Sequence, residues 1–346
     1  MKIAIHFTDD RVEDSYAPKW IEYCKTNDIE HKIVNCYDSD IVEQLKGFDA
    51  LMWHWDQLDY KALLFARGLT QSLDRDDFVI YPDVNTAWHY DDKVGQKYLL
   101  EAIDAPLVKS YAYYDKESAV KWIEETSFPK VFKLRSGAGS YNVKLIRTKE
   151  QALSYANRAF GKGFFPLSKS SVLDERIWTF KKNRDLKSFL DISKGIHRYI
   201  FPNEIYKNLP VEKNYLYAQD FIDDCDHDIR VFSMGDRAVT KKRFTRGDDF
   251  RASGSGLMTW DEIPKECVSM AFDVMDKLKA QSLAFDFVKD TDGYKIVEIS
   301  YVASVRGFPD CPGYWDRGLN WIEAPVRVEH FIIEDLIKKI KSKKQS

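Results

Sequence analysis

The feature that most narrows the fold of this chain is the alternation of short apolar runs with helical periodicity across its first ninety residues. Ile3 to Phe7 reads as a strand, Ala17, Trp20, Ile21 and Cys24 fall at helical spacing, and Ile33 and Val34 mark a second strand. Ile41, Val42 and Leu45 read as a short helix, followed by candidate strands at Ala50 to Trp53 and Phe78 to Tyr81. Strands alternating with helices predict a doubly wound parallel sheet. After Ile5 the chain reads Thr8-Asp9-Asp10, where a dinucleotide-binding unit would carry its glycine fingerprint, so this rhythm by itself implies no nucleotide.

Beyond Asp91 the pattern changes. A helix is predicted over Lys93 to Ile103, strands at Val131 to Leu134 and Val143 to Arg147, and a helix over Lys149 to Ala159. Residues 161–214 are charged and aromatic with weak periodicity, which predicts an insertion of irregular helices. Tyr215 to Ile222, Ile229 to Met234, Ala238 to Arg243, Leu283 to Val288 and Tyr294 to Ile299 then read as an antiparallel set, with Asp292-Gly293 as a hairpin turn. A helix over Ile263 to Lys279 interrupts them, and a last helix carries Val328, Phe331, Ile332, Leu336 and Ile340. These shifts divide the chain into residues 1–90, 91–214 and 215–346, an α/β (α+β) organisation with a loop at 135–143 in the second part.

With 346 residues, 44% hydrophobic and 31% charged, the chain can bury a core in each of two or three packed units. A net charge of -3 gives no global attraction to a polyanion. The five cysteines, at 24, 36, 225, 267 and 311, form no CxxC pair and are odd in number, so reduced thiols and a cytoplasmic protein are expected. The N-terminus lacks the long apolar core of a signal peptide, and no apolar run approaches the roughly 18 residues a membrane span needs. A homodimer is compatible with the sequence.

Three segments carry chemistry. Lys133 lies on a strand just before Ser136-Gly137-Ala138-Gly139-Ser140, a small flexible loop whose backbone N–H groups can converge on phosphate oxygens beside a fixed lysine charge. A Ser/Gly hairpin without a ligand fits the same residues. Asp286, flanked by apolar residues, and Glu298, twelve residues on, can meet across a hairpin. Two such carboxylates repel unless a cation such as magnesium sits between them, or arginines pair with them. Lys241 and Arg243 share a strand face, and Arg246 and Arg251 follow in a loop rich in small residues, which suits several negative oxygens. Asp248 and Asp249 interrupt this patch and no aromatic platform accompanies it, so nucleic acid is not expected as a partner. Trp53-His54-Trp55-Asp56 lies at a strand's C-terminal end, where sheets of this kind place ligands, and reads equally as a packed aromatic cluster.

Taken in order, these segments resemble the ATP-grasp superfamily over roughly residues 90 to 305. The resemblance implies an ATP-grasp fold behind a small N-terminal domain, with ATP and one or two Mg2+ ions as cofactors. Lys93 after Asp92, and Lys133, look like the two nucleotide-binding lysines, and Ser136, Gly137, Gly139 and Ser140 look like the loop over the triphosphate. Gln219, Asp220, Phe221 and Ile222 resemble the hinge strand that contacts adenine, and Asp228 the ribose contact. Arg243 and Arg251 look like the arginines on the terminal phosphate and the acyl phosphate. Asp286 and Glu298 match the magnesium ligands; Ser300 stands where the family usually has asparagine, and Ser253 where the ribosomal-protein glutamate ligase branch has one, which implies a weaker second metal site. The activity implied is ligation of a carboxylate to an amine through an acyl phosphate. A narrower likeness, through Phe128 to Val143 and Cys311 to Asp316, to ATP-grasp proteins of capsule or surface polysaccharide function implies a sugar-linked carboxylate. A phosphotransferase acting on a hydroxyl and a catalytically idle nucleotide-binding scaffold remain open as alternatives.

Overall fold

Strands β1 (Lys2–His6) and β3 (Ala50–Met52) are almost wholly buried, the condition of parallel strands covered by helices. With β2 (Glu30–Val34) and β4 (Val79–Tyr81) they form a parallel sheet in the order β2-β1-β3-β4. Helices α1 (Ala17–Thr26), α2 (Ile41–Gln44) and α3 (Tyr60–Leu73) connect these strands. The computed structural model describes the whole chain except residues 9–14, 58, 76, 138–141, 166–176, 178–179, 181–183, 185–207, 224, 246–249, 253–254, 306, 309 and 346.

Helices α4 (Val84–Ala87) and α5 (Lys93–Ala102) lead out of this sheet. The Asp92 side chain accepts the Gly95 N–H at 2.9 Å and caps α5, which is why the helix begins at Lys93. A second sheet follows, antiparallel throughout, from β5 (Ser110–Tyr113), β6 (Lys130–Lys133), β7 (Lys144–Ile146) and β8 (Leu216–Asp220) in the order β5-β8-β6-β7. Helices α6 (Lys116–Glu125) and α7 (Lys149–Ala159) share its core, which includes Ile123, Phe132, Ala156 and Leu216. Strand β8 is a correction, since its sequence position grouped it with the strands that follow. Four of its five residues are buried without alternation, so the pattern carries no information about its partners. The expected insertion over 161–214 lies largely outside the described residues, but its base is closed by reciprocal bonds between Phe164 and Glu212 at 2.9 and 2.8 Å.

The third sheet is the largest. Strands β9 (His227–Met234), β10 (Arg237–Phe244), β12 (Ser282–Asp290), β13 (Gly293–Ser300), β14 (Gly313–Asp316) and β15 (Trp321–Glu323) run antiparallel in the order β13-β12-β9-β10-β14-β15, with β11 (Met258–Thr259) paired to β10. Helix α8 (Lys265–Leu278) packs on it through Val268, Ala271, Phe272 and Met275. Helix α9 (Val328–Gln345) returns to the first sheet: Phe331, Ile332, Leu336 and Ile340 join the core that contains Trp20 and Ile80. Arg237, next to the β9–β10 turn, grips this helix through Glu334 and Asp335 at 2.5 and 2.9 Å. Fully buried Tyr301 completes the junction, donating to the Trp55 carbonyl at 2.6 Å and accepting the Trp55 N–H at 3.0 Å. Among the described residues no helix is long and apolar enough to cross a membrane.

His89, between α4 and α5, is fully buried, and neither ring nitrogen has a hydrogen-bond partner among the described residues. Burial, aided by Arg67, lowers its pKa to about 4. The unfolded chain takes up this proton below the ordinary value of about 6.5 while the folded chain resists until about 4, so stability falls as the pH drops through that window. Between pH 7 and pH 5 the cost at this site is about 2 kcal/mol. Urea unfolding of His89→Phe should therefore lose about 2 kcal/mol less than wild type over that interval; parallel losses would refute it.

Candidate active site

All three sheets contribute to a cavity of about 540 Å³, inside the roughly 300–1,000 Å³ range of small-ligand sites. Val131 and Lys133 line it from the second sheet, Arg230, Asp286 and Glu298 from the third, and His54 and Gln57 from the first.

Lys133 ends β6 as a buried residue, and its Nζ donates to Gln219 Oε1 on β8. Gln219 Nε2 in turn donates to Ser110 Oγ at 3.1 Å and to the Val297 carbonyl at 3.2 Å. Burial pushes the Lys133 pKa down to about 8, with Glu298 opposing the fall and Lys93 adding to it. Lys93, at the start of α5, donates from Nζ to the Gly137 carbonyl at 2.7 Å and pairs with Glu298 at 3.1 Å. Burial would lower its pKa as well, but Glu298 and Asp91 outweigh that and raise it. Two lysines, one from helix α5 and one from strand β6, thus converge beside the start of the Ser136 to Ser140 loop.

The third sheet arranges its charges by register. Lys241 on β10 lies opposite Arg230 on β9, Arg230 opposite Asp286 on β12, and Asp286 opposite Glu298 on β13, one charged row across four strands. One step along, Arg243 lies opposite Asp228. Arg230 holds Asp286 with both its Nε and Nη2, at 2.7 and 2.8 Å, and Arg243 holds Asp228 in the same way at 2.6 and 2.5 Å. Arg243 also reaches Asp286 at 2.9 Å. Burial would raise the Asp286 pKa, but the two guanidinium groups hold it well below the ordinary carboxylate range. Asp228 goes the other way, its burial outweighing Arg243. The β12–β13 register shifts between Asp286 and Phe287, leaving Val297 as an extra residue, so Val297 and Glu298 both line the cavity.

The remaining expected residues are placed as follows. Asp220, Phe221, Ile222, Asp228, Arg251 and Ser300 line the cavity, Asp220 paired with Lys130 at 2.8 Å. Ser300 Oγ donates to the Val302 carbonyl at 2.8 Å. Ser136 Oγ donates to Glu212, and Gly137 lines the cavity. Arg243 is not among the lining residues; it is buried between Asp228 and Asp286. Gly139, Ser140, Arg246 and Ser253 lie outside the described residues. Among the charged lining residues, Arg230 and Asp91 escaped the sequence analysis as site candidates. The signal for Arg230 was its spacing of two from Asp228, which puts both on one strand face.

The donor set suits a hard cation. Asp286 and Glu298 sit directly opposite each other on a rigid hairpin and both face the cavity. Among the described residues no cluster of three or more His, Cys, Asp or Glu forms a closed metal cage, and magnesium needs none, since it takes one or two carboxylates and completes its shell with water and phosphate oxygens. In this structure the two acids are paired with cations, Asp286 with Arg230 and Arg243 and Glu298 with Lys93, and their chemistry also fits magnesium.

No protein-family model and no curated protein matches the chain. Solved structures do. The D-cycloserine synthetase DcsG aligns over 98% of this chain and 100% of its own length, with a TM-score of 0.59 and 10% identity. A RimK-domain ATP-grasp protein from Sphaerobacter thermophilus aligns over 97% and 99%, with a TM-score of 0.57 and 15% identity. The D-alanine–D-alanine ligase of Bacillus anthracis, in complex with ATP, aligns over 99% and 98%, with a TM-score of 0.58 and 12% identity. At such identities the likeness speaks for architecture, and with the parallel N-terminal sheet, the two antiparallel sheets and the cavity between them it leads to one conclusion: this chain has the ATP-grasp fold.

Proposed function

We propose that the protein is an ATP-dependent ligase that joins a carboxylate to an amine through an acyl phosphate. The observation that carries this is the meeting of Lys93, Lys133 and Arg230 with the registered pair Asp286 and Glu298 in one cavity. That cavity is also lined by the apolar side chains of Val131, Ile222 and Val288, which suits a purine. Structural neighbours named as ligases or synthetases support the reading, one of them described in complex with ATP.

Backbone groups from Gln219 to Ile222 would take the adenine edge, and Asp228 the ribose. Lys93, Lys133 and Arg230 would offset phosphate charge, while Arg243 keeps Asp228 and Asp286 in place. Magnesium held by Asp286 and Glu298, with Ser300 beside them, would supply positive charge to the β- and γ-phosphates. A substrate carboxylate oxygen bonds to the γ-phosphorus as ADP leaves. The amine then bonds to the acyl carbon as phosphate leaves with the electron pair of the broken C–O bond. Arg251, in the cavity wall, would stabilise the charge on the acyl phosphate. The sugar-acid form of the proposal rests on the likeness at Cys311 to Asp316. There Trp315 bonds Thr240 at 3.1 Å, Tyr314 packs on Phe331, and neither side chain lines the cavity. The proposal is therefore carried at the level of carboxylate and amine.

The test is interception. ADP release is first screened against amino acids and sugar acids, and the best acid is then incubated with ATP, magnesium and hydroxylamine, a small nucleophile that converts an acyl phosphate to a hydroxamate. Wild type should form hydroxamate and ADP in equal amounts, and Arg251→Ala should lose both. ADP without hydroxamate, together with a phosphorylated hydroxyl product, would establish the phosphotransferase instead.

A further inference from the structure

Two acids of the cavity, Asp56 and Asp91, have no task in this scheme, and Asp91 is the one next to a phosphate lysine. Asp91 is only 8% exposed and lines the wall between Tyr90 and Lys93, where the first sheet reaches the phosphate lysines. Its backbone is left-handed, with φ 54, a conformation that costs a non-glycine residue roughly 1 kcal/mol. Asn and Asp tolerate it best. Among the described residues a single hydrogen bond orients the carboxyl: Oδ1 accepts the Gly137 N–H at 2.7 Å. Oδ2 is thereby left to the cavity.

The neighbouring Tyr90 hydroxyl is committed to Gln57 Oε1 at 2.8 Å, and Lys93 to Gly137 and Glu298. Asp228, Asp286 and Glu298, the other acids near the phosphate lysines, are each already paired with a cation. Asp91 is thus an acid beside the phosphate lysines whose second oxygen makes no hydrogen bond among the described residues. The charged groups that act on it are Lys93 on its own segment, Arg135 after β6 and Glu298 on β13. Burial raises its pKa to about 7 against the pull of Lys93 and the Gly137 N–H, and Glu298 raises it further. A proton acceptor works best with a pKa near the operating pH.

We infer that Asp91 takes the proton from the amine that attacks the acyl phosphate, so that the second substrate is a protonated amine entering as its ammonium ion; the inference rests on the ligase proposal above. The ammonium gives one proton to Asp91 Oδ2, and the freed lone pair forms the C–N bond. The C–O bond to phosphate breaks with its electron pair on phosphate, which carries off the second proton. Asp91 is thus a catalytic residue of the second half-reaction and idle in the first.

Asp91→Asn keeps the size, the tolerance of a left-handed backbone and the acceptor for Gly137, and removes only the basic oxygen. With the acid selected by ADP release, its rate is compared with wild type for two kinds of nucleophile at pH 7. Hydroxylamine is already largely neutral there, whereas ammonia, methylamine and glycine are present as ammonium ions. Asp91→Asn should form hydroxamate within about 3-fold of wild type and lose about 100-fold or more with the ammonium probes, a loss that shrinks as the pH rises. Equal losses with both kinds of nucleophile would make Asp91 a structural latch for Gly137 and overturn the inference. So would a wild type that uses hydroxylamine but none of the three ammonium probes. Absence of hydroxamate from the wild type would overturn the ligase proposal itself, an outcome distinct from either.

Discussion

Glu298→Gln is expected to reduce ATP turnover about 1,000-fold and to leave the melting temperature nearly unchanged, whereas Asp286→Asn should reduce both. Each change removes one negative charge from the proposed metal ligands without altering size, and a bound metal contributes several kcal/mol to phosphoryl transfer. Their surroundings differ. Glu298 is part-exposed, and the buried Lys93 that it pairs with keeps the Gly137 carbonyl and the nearby Asp91 charge when Glu298 is neutralised. Asp286 is held by Arg230 at two points and by Arg243 at a third, inside the sheet. Losing its charge leaves two guanidinium groups short of a buried partner, a defect that costs about 3–5 kcal/mol. Turnover by malachite green and unfolding by urea, measured on both variants, check the pair. Near-wild-type turnover in either would remove the metal assignment, and equal stability of the two would contradict the charge row.

The second large effect runs the opposite way in stability. Lys133→Met should lower kcat/KM for ATP about 100-fold or more, because it removes the proposed charge-assisted contact to phosphate from a low-dielectric site. It should not destabilise the protein. Burial holds the Lys133 pKa at about 8, so the unfolded chain keeps this proton up to about pH 10.4 while the folded chain releases it from about 8. Stability at this site therefore rises with pH across that window, and at pH 7 the buried charge costs about 3 kcal/mol. The variant escapes that cost but leaves Gln219 Oε1 without its donor, so its midpoint should be unchanged or modestly raised. ATP should also bind with proton uptake above pH 8, since phosphate favours the charged lysine; calorimetry in two buffers of different ionisation heat reads that proton. A fall in stability that tracked the loss of activity would mean that Lys133 is merely structural.

The parts of the fold legible in the sequence were those with a local signature. The βα rhythm of β1 to β4, the α5 start at Asp92-Lys93, and the hairpin around Asp292-Gly293 each follow from spacing, capping or turn chemistry. What could not be read was pairing. β8 is nearly all buried and so carries no alternation to choose a sheet, and the apolar stripe of α9 does not say that it docks against Trp20 and Ile80 as well as its own sheet. The short β5, β14 and β15 carry no strong strand pattern, and they form because longer neighbours offer open edges. At the site, the two lysines and the two acids were visible as residue types in order. Arg230 was not, because only the β9–β12 register turns an unremarkable strand arginine toward Asp286. Asp91 likewise depends on a bond to Gly137, forty-six positions away.

The crossing of the chain at Lys109 and Asp220 has a mechanical meaning. The second sheet has a core of its own, and the chain enters it beside β5 and leaves it after β8. At that place the Asp220 N–H donates to the Lys109 carbonyl at 2.9 Å, and the entering strand is pinned to the third sheet by Val108 and Ile296 at 2.9 Å. Two connections stitched side by side act as a door's pin: they permit swing about one line and resist shear and twist. Phe221 and Ile222 lie next to that line, while Lys133, at the far end of β6, and Gly137 beyond it lie farther from it. Helix α9 clamps the first and third sheets into the frame. Away from that line the second sheet is also tied to the start of α5, by Lys93 to the Gly137 and Arg135 carbonyls, by the Gly137 N–H to Asp91 and by Arg135 to Asp92, so any swing of that sheet has to break these bonds together.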